Sequence, residues 1–342
     1  MPGRRTPGLT VADIGEFPLI DRLTARLGPQ RQDVVIGVGD DVAAIEIEPG
    51  RLQLMTCDVQ VAGSHFQPER CDPHRLGRKV AAINLSDIAA AGGWPTHFLC
   101  SLVLPPETKL EFLDGLYDGL VEEASKWEAD LIGGNVSRGE QMVIDVTLLG
   151  EVAGGDLFRR DGASVGEQVA VTGHLGSAAA GLALTRLSEL RVASSARKQV
   201  LDAFETPSPR LAEARVLVET GGVRAAIDVS DGLSADLGHL CDASGVGVRI
   251  DAARLPVAGA TREVAGAAGV DPSDWVLGGG EDYELLFTAS PDRMADLVES
   301  VFSATGTRVT VIGEIVRADK GRELALVDGT RRGLDPTGWS HF

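Results

Sequence analysis

Lysine is scarce in this 342-residue chain: Lys79, Lys109, Lys126, Lys198 and Lys320 are all there are. No GxxxxGK[ST] segment occurs, which argues against a P-loop nucleotide site. Basic residues as a whole are outnumbered, 32 against 50 acidic, for a formal net charge of −18. So acidic a surface argues against a dedicated binder of nucleic acid or anionic membrane, since both need basic patches. It leaves open a nucleotide held through metal ions. The four cysteines, Cys57, Cys71, Cys100 and Cys241, form no CxxC pair and no metal-ligand spacing. With no signal-peptide pattern, the expected compartment is the reducing cytoplasm. No run of ~18 uninterrupted apolar residues is present, so no membrane span is expected. No Ser/His/Asp or Cys/His arrangement is readable, and Cys57 has no evident activating base.

What is present suits an ordinary folded protein. Hydrophobic residues make 44% and charged residues 24%, enough for a sizeable core. The length suggests two domains. The 42 glycines imply many tight turns or close backbone approaches. Strand-like runs at 34–38, 52–56, 98–104, 143–150, 168–172, 225–229, 283–288 and 308–312 alternate with helical patterns. The helices are expected at 73–91, 110–129, 177–190, 209–219, 234–243 and 292–304. That alternation gives an α/β or α+β class. We expect a flexible tail over 1–12, one domain over 13–152 and a second over 153–342, with the boundary near Gly154-Gly155 and the Arg159–Gly162 turn.

Carboxylates gather where apolar strands end: Gly39-Asp40-Asp41, Thr56-Cys57-Asp58 and Asp228-Val229-Ser230-Asp231-Gly232. Asp87 instead sits in a mostly apolar helical stretch, Ile83 to Ala91, three residues after Asn84. A carboxylate there is costly to bury unless paired. Each group has an ordinary reading. Asp231 can cap the helix that starts near Leu233, and Asp40-Asp41 can be a solvated turn. If they converge, each pair ~4 Å apart repels by about 4 kcal/mol at an effective dielectric near 20. Something cationic must then neutralise them. No lysine lies inside these acidic motifs, whereas Mg²⁺ takes one or two carboxylates and bridges to phosphates. Two glycine segments, Leu131-Ile132-Gly133-Gly134-Asn135 and Leu277 to Tyr283 with its Gly278-Gly279-Gly280, suit backbone N–H groups facing an anion.

The ordered set of motifs resembles the thiamine-monophosphate kinases, a branch of the AIR-synthase-like (PurM-like) ATP-binding superfamily. It runs through GEF at 15–17, GVGDDVAAI at 37–45, TCDVQVAGSHF at 56–66 and GRKVAAINLSDIAAAGGWP at 77–95. It continues with IGGN at 132–135, RRDGASVGE at 159–167, AIDVSDGLSADLGHL at 226–240, GGEDYELLFT at 279–288 and GWSHF at 338–342. The resemblance implies a two-domain α/β (α+β) PurM-like fold, whose N-terminal sheet domain forms a homodimer. It implies transfer of the γ-phosphoryl of ATP to thiamine monophosphate, giving thiamine diphosphate, with several Mg²⁺ ions. Carried over by position, Asp41, Thr56, Cys57, Asp58, Asp87, Asn135, Asp228 and Asp231 are the implied metal residues, with Asp58 and Asp231 central to catalysis. Gly134, Arg160 and Ser230 are implied ATP contacts, and His65, Glu281 and Trp339 implied acceptor contacts. The chain departs from the family pattern at Asn135, where an aspartate is usual, at Cys57, where serine or threonine is usual, and over Val59–Gly63. Two other readings follow from those departures: a superfamily enzyme with a different acceptor, or a weakened nucleotide-binding relative.

Overall fold

Proline and an aspartate cap start the helix on which the site depends. Asp72 accepts from the backbone N–H groups of His74 and Arg75 at 2.9 and 3.2 Å, and Pro73 opens the helix, as expected at these positions. In the computed structural model, residues 10–187, 189–334 and 338 are described. The first half runs α1 (Val11–Ile14), α2 (Glu16–Thr24), β1 (Val34–Ile36), β2 (Ala43–Glu48), β3 (Arg51–Val61), α3 (Pro73–Ala90), β4 (Trp94–Leu104), α4 (Leu110–Ser125), β5 (Asp130–Arg138) and β6 (Val143–Ala153). Its sheet has the order β1-β2-β3-β6-β4-β5, antiparallel except for β4 beside β5. Burial alternates along β3 and β6, the mark of a sheet covered on one face. Helices α3 and α4 cover that face. Among the described residues nothing covers the other.

The second half runs β7 (Gln168–Thr172), α5 (Ser177–Arg186), α6 (Ser194–Glu205), α7 (Leu211–Thr220), β8 (Val223–Asp228), α8 (Leu233–Ser244), β9 (Gly247–Asp251), α9 (Gly259–Ala268), α10 (Pro272–Gly278), β10 (Leu285–Ala289), α11 (Pro291–Thr305), β11 (Val309–Val316), β12 (Arg322–Ala325) and β13 (Arg331–Gly333). The second sheet has the order β13-β12-β9-β11-β7-β10-β8, antiparallel except for β9 beside β12. Its inner strands are buried on both faces, so β10 is buried throughout and shows no alternation. One apolar core runs from the first sheet through α3 and α4 to α7, α11 and the near side of the second sheet, with Phe98 and Phe287 among its largest members. A second core lies under α8 on the far side. Helix α3 is thus the beam between the two sheets, packing on β3 and β6 on one side and on α7 and β8 on the other. No helix among the described residues is long and apolar enough to cross a membrane.

The structure adds elements to the sequence reading and moves some ends. The strand expected over 52–56 is an eleven-residue β3, and the strand expected from Tyr283 starts at Leu285. Helices α1, α2, α6, α9 and α10 and strands β2, β9, β12 and β13 were not anticipated, and α1 begins at Val11, inside the stretch expected to be a flexible tail. Most are short or rich in small and polar residues, so their period is weak.

Candidate active site

The acidic groups come from four separate segments and meet at one end of α3. Asp41 lies in the turn from β1 to β2, Asp58 in β3, Asp87 in the last turn of α3, and Asp228 ends β8. Ligand atoms of Asp41, Asp87 and Asp228 all lie within 4.8 Å of one another, and Asp58 lies close enough to Asp87 that each shifts the proton affinity of the other. Thr56 Oγ1 donates to Asp87, and Ser86 Oγ donates to Asp228 at 2.6 Å. The Oδ2 atoms of Asp41 and Asp58 are buried with no hydrogen-bond partner among the described residues.

Such crowding raises proton affinity. Burial first, then the charges of Asp58, Asp228 and Asp41, hold the Asp87 carboxyl well above the ordinary carboxylate range. Burial, then the Asp41 charge, pushes Asp228 up to about 8. Burial also raises Asp58, against the neighbouring Asp87 carboxyl, which lowers it. The cationic group at hand is Arg160. Its guanidinium donates to Asp41, and its backbone N–H donates to Asp40 at 3.2 Å. The expected nucleotide contact is therefore tied to the acidic cluster.

The loop after Asp228 is held by a carboxylate that sequence reasoning missed. Asp236, 2% exposed, accepts from the backbone N–H of Asp231 at 3.1 Å and of Gly232 at 3.0 Å. Gly232, not Asp231, is the N-cap of α8, so the capping role open to Asp231 is not the one it has. The missed signal was an aspartate in the first turn of an otherwise apolar helix face. Ser230 accepts from the backbone N–H of Glu281 at 2.7 Å, and Val229 accepts from that of Tyr283 at 2.8 Å. The GGEDYEL segment thus lies directly on the SDG loop. A Cβ on Gly280 would collide with the Ser230 carbonyl. Glu281 and Tyr283 both adopt positive φ, 68° and 50°, a conformation rare for non-glycine residues and concentrated at functional sites. Asp282 accepts from the N–H groups of Gly176 and Ala178 at the start of α5, at 2.5 and 3.1 Å.

Other expected residues do not join the cluster. Cys57 and Asp58 are neighbours in a strand, so their side chains take opposite faces. Asp58 points to the helix side, whereas Cys57 Sγ lies on the uncovered face, 3.1 Å from Asp145 Oδ1. The Cys57 side chain is therefore no ligand for a metal on the helix side. Leu131 to Asn135 is not a loop but part of β5. Gly134 pairs with Cys100, and a Cβ there would collide with the Cys100 carbonyl, which is a structural reason for the glycine. Asn135 sits beside Ser101, Ser101 beside Asp145, and Asp145 beside Val59. Asn135 is thus three strand spacings, roughly 14 Å, from β3 and on the opposite face from the Asp58 side chain. His65 lies in the turn after β3, where its Nδ1 accepts from the Val61 N–H at 3.0 Å. It lines a pocket together with Arg70, Lys79, Phe204 and Glu205. Trp339 lies outside the described residues. Lys79, passed over because it lies outside the acidic motifs, is buried with its Nζ 2.8 Å from Glu281 Oε1. A lone lysine in the same apolar helix as Asp87 was the available signal.

Comparison with known proteins matches this architecture along its length. The model for AIR synthase related protein, N-terminal domain, matches residues 39–152, and that for the C-terminal domain matches residues 164–324. Thiamine-monophosphate kinase of Escherichia coli K12 is 36% identical over 332 residues, covering 96% of this chain and 98% of that one. A structure of AaThiL complexed with AMPPCP and TMP superposes with a TM-score of 0.85 at 30% identity, covering 98% of this chain and 100% of that one. The hydrogenase maturation protein HypE in complex with ATP, at 17% identity and a TM-score of 0.70 over 92% of this chain and 94% of that one, shares the fold alone. With full-length similarity on the kinase side and only the fold shared on the other, the chain belongs to the thiamine-monophosphate kinase family of AIR synthase related proteins.

Proposed function

We propose that this protein transfers the γ-phosphoryl group of ATP to thiamine monophosphate, giving thiamine diphosphate. The observation that carries the reading is the meeting of Asp41, Asp58, Asp87 and Asp228 with two buried oxygens left unpartnered. That is a donor set of hard oxygens, which fits Mg²⁺ better than a soft metal. These four would hold the ions, joined by Asp231, Thr56 Oγ1 and the Cys57 carbonyl. Bound Mg²⁺ supplies charge neutralisation for two polyanions that must approach each other.

The chain's own residues do the rest. Arg160 and Ser230 hold the nucleotide beside the cluster. His65 and Glu281, with Trp339, hold the acceptor. Asp58 and Asp231 would hold ions that neutralise the reacting phosphates, so positioning and electrostatics carry the step. An acceptor phosphate is already a nucleophile near neutral pH, so no strong general base is required.

The finer arrangement belongs to the same proposal. Residues 13–152 and 153–342 form two domains, and the protein works in the cytoplasm as a homodimer. The uncovered face of the first sheet, with Val59 46% and Leu99 39% exposed, is the surface for a second copy. Asn135 and Gly134 lie on or beside that face, so they serve the site of the second copy. This reconciles their family role with their distance from Asp58. Incubating purified protein with ATP, Mg²⁺ and, in parallel, thiamine monophosphate, thiamine, formylglycinamidine ribotide or selenide tests the proposal. Thiamine diphosphate should form from the first alone. Folded protein that consumes no ATP with thiamine monophosphate overturns it.

A further inference from the structure

We propose that Lys79 is a positioning residue for the acceptor, holding the Glu281 side chain aimed across the gap between α3 and the GGEDYEL loop. The inference rests on the reading above, in which Glu281 touches the acceptor.

Lys79 is 5% exposed. Its ammonium sits 2.8 Å from Glu281 Oε1 and 4.0 Å above the centroid of the Phe204 ring, at the end of α6. A buried ammonium needs such partners. So enclosed, Nζ is committed to Glu281 and acts on the acceptor through it. Stability alone does not call for the pair, because a well-packed apolar replacement is often as stable as a buried ion pair. What an apolar replacement cannot supply is a partner that fixes the direction of the Glu281 side chain.

Glu281 has reason to need fixing. Its backbone is held at φ 68°, anchored on one side by Ser230 and on the other by Asp282 at the start of α5. Its side chain reaches α3 at Lys79. On α3, Lys79 and Ser86 are seven residues apart and share a face. Ser86 holds Asp228, and Lys79 holds Glu281. One helix face therefore sets both ends of the cleft, separated by about 10 Å along the axis: the carboxylate cluster at one end, the acceptor contact at the other. The pocket that Lys79 lines with His65 and Phe204 opens at that second end.

The test is steady-state kinetics on the full chain with Lys79→Met, Lys79→Gln and Lys79→Arg. Losing a charge-assisted contact should raise KM for thiamine monophosphate about tenfold or more in the Met and Gln variants. The KM for ATP and the Mg²⁺ midpoint should stay within about twofold, and Lys79→Arg should recover most of the loss. Adding Lys79→Met to Glu281→Gln should cost little beyond Glu281→Gln alone, since the two act as a unit. Lys79→Gln keeps a hydrogen-bond donor and carries the test if the Met variant does not fold. An unchanged KM for thiamine monophosphate, or equal rises for both substrates, overturns the inference. Wild-type protein inert toward thiamine monophosphate overturns the functional reading as well, so the two failures are distinguishable.

Discussion

Replacing Asp87 by asparagine separates the cost of the carboxylate cluster from its use. Asp87 has a ligand atom within 4.8 Å of those of Asp41 and Asp228, and the charge of Asp58 acts on it as well. Two full charges at that distance repel by ~3.5 kcal/mol at an effective dielectric near 20. Proton uptake relieves part of this at pH 7, because burial and neighbouring charge push Asp228 up to about 8 and Asp87 higher than an ordinary carboxyl. The repulsion realised at Asp87 is then a fraction of the full value, about 1–2 kcal/mol. Asparagine keeps the shape and an oxygen for the Thr56 hydroxyl. In EDTA, Asp87→Asn should therefore raise Tm by roughly 2–6 °C. With saturating Mg²⁺ the order should reverse, since the wild type gains more from binding, and the rate should fall at least about tenfold. Calorimetry with and without Mg²⁺, paired with turnover, reads all three. A mutant that melts lower than wild type in EDTA would show that Asp87 is there to brace Thr56 and not to hold a cation.

Three other outcomes follow from the same geometry. Asp58, Asp87 and Asp228 bind protons more tightly folded than unfolded. In EDTA the protein should therefore lose stability as pH rises from about 4, where unfolded carboxyls ionise, to about 8, where Asp228 does; a Tm that climbs across that window contradicts the cluster. Cys57→Ser should leave the Mg²⁺ midpoint within about twofold, because the side chain faces Asp145 and not the metal side; a tenfold shift in a Mg²⁺ titration would make the side chain a ligand. Asn135→Asp should lower the Mg²⁺ concentration for half-maximal rate, by replacing a dipole with a full charge; an unchanged midpoint sinks its assignment to a metal site.

The sequence revealed the chemistry of the site better than its construction. Asp41, Asp87 and Asp228 were legible because carboxylates at strand ends or in an apolar helix are costly without a common counter-ion, and the structure brings them together. The α/β alternation was legible for the same periodic reasons that formed α3 and β6. Side-chain facing was not, until β3 was known to continue through Asp58; only then do Cys57 and Asp58 part. The Gly133-Gly134 pair read as a phosphate loop, yet strand order puts it on β5 with two strands between it and Asp58. Local pattern carries no information on strand order. Lys79 and Asp236 escaped notice because each is defined by a partner distant in sequence or by a backbone that folds over it, Glu281 in one case and the Asp231-Gly232 turn in the other.

The central claim is metal-dependent transfer between two phosphates, and following the γ-phosphoryl group tests it most directly. Purified protein is incubated with γ-labelled ATP and thiamine monophosphate over a Mg²⁺ titration, with an EDTA control, and the label in thiamine diphosphate is counted. The account predicts label in thiamine diphosphate that rises with Mg²⁺ and disappears in EDTA. Label transfer undiminished in excess EDTA, or ATP hydrolysed with the label released only as inorganic phosphate, would contradict it.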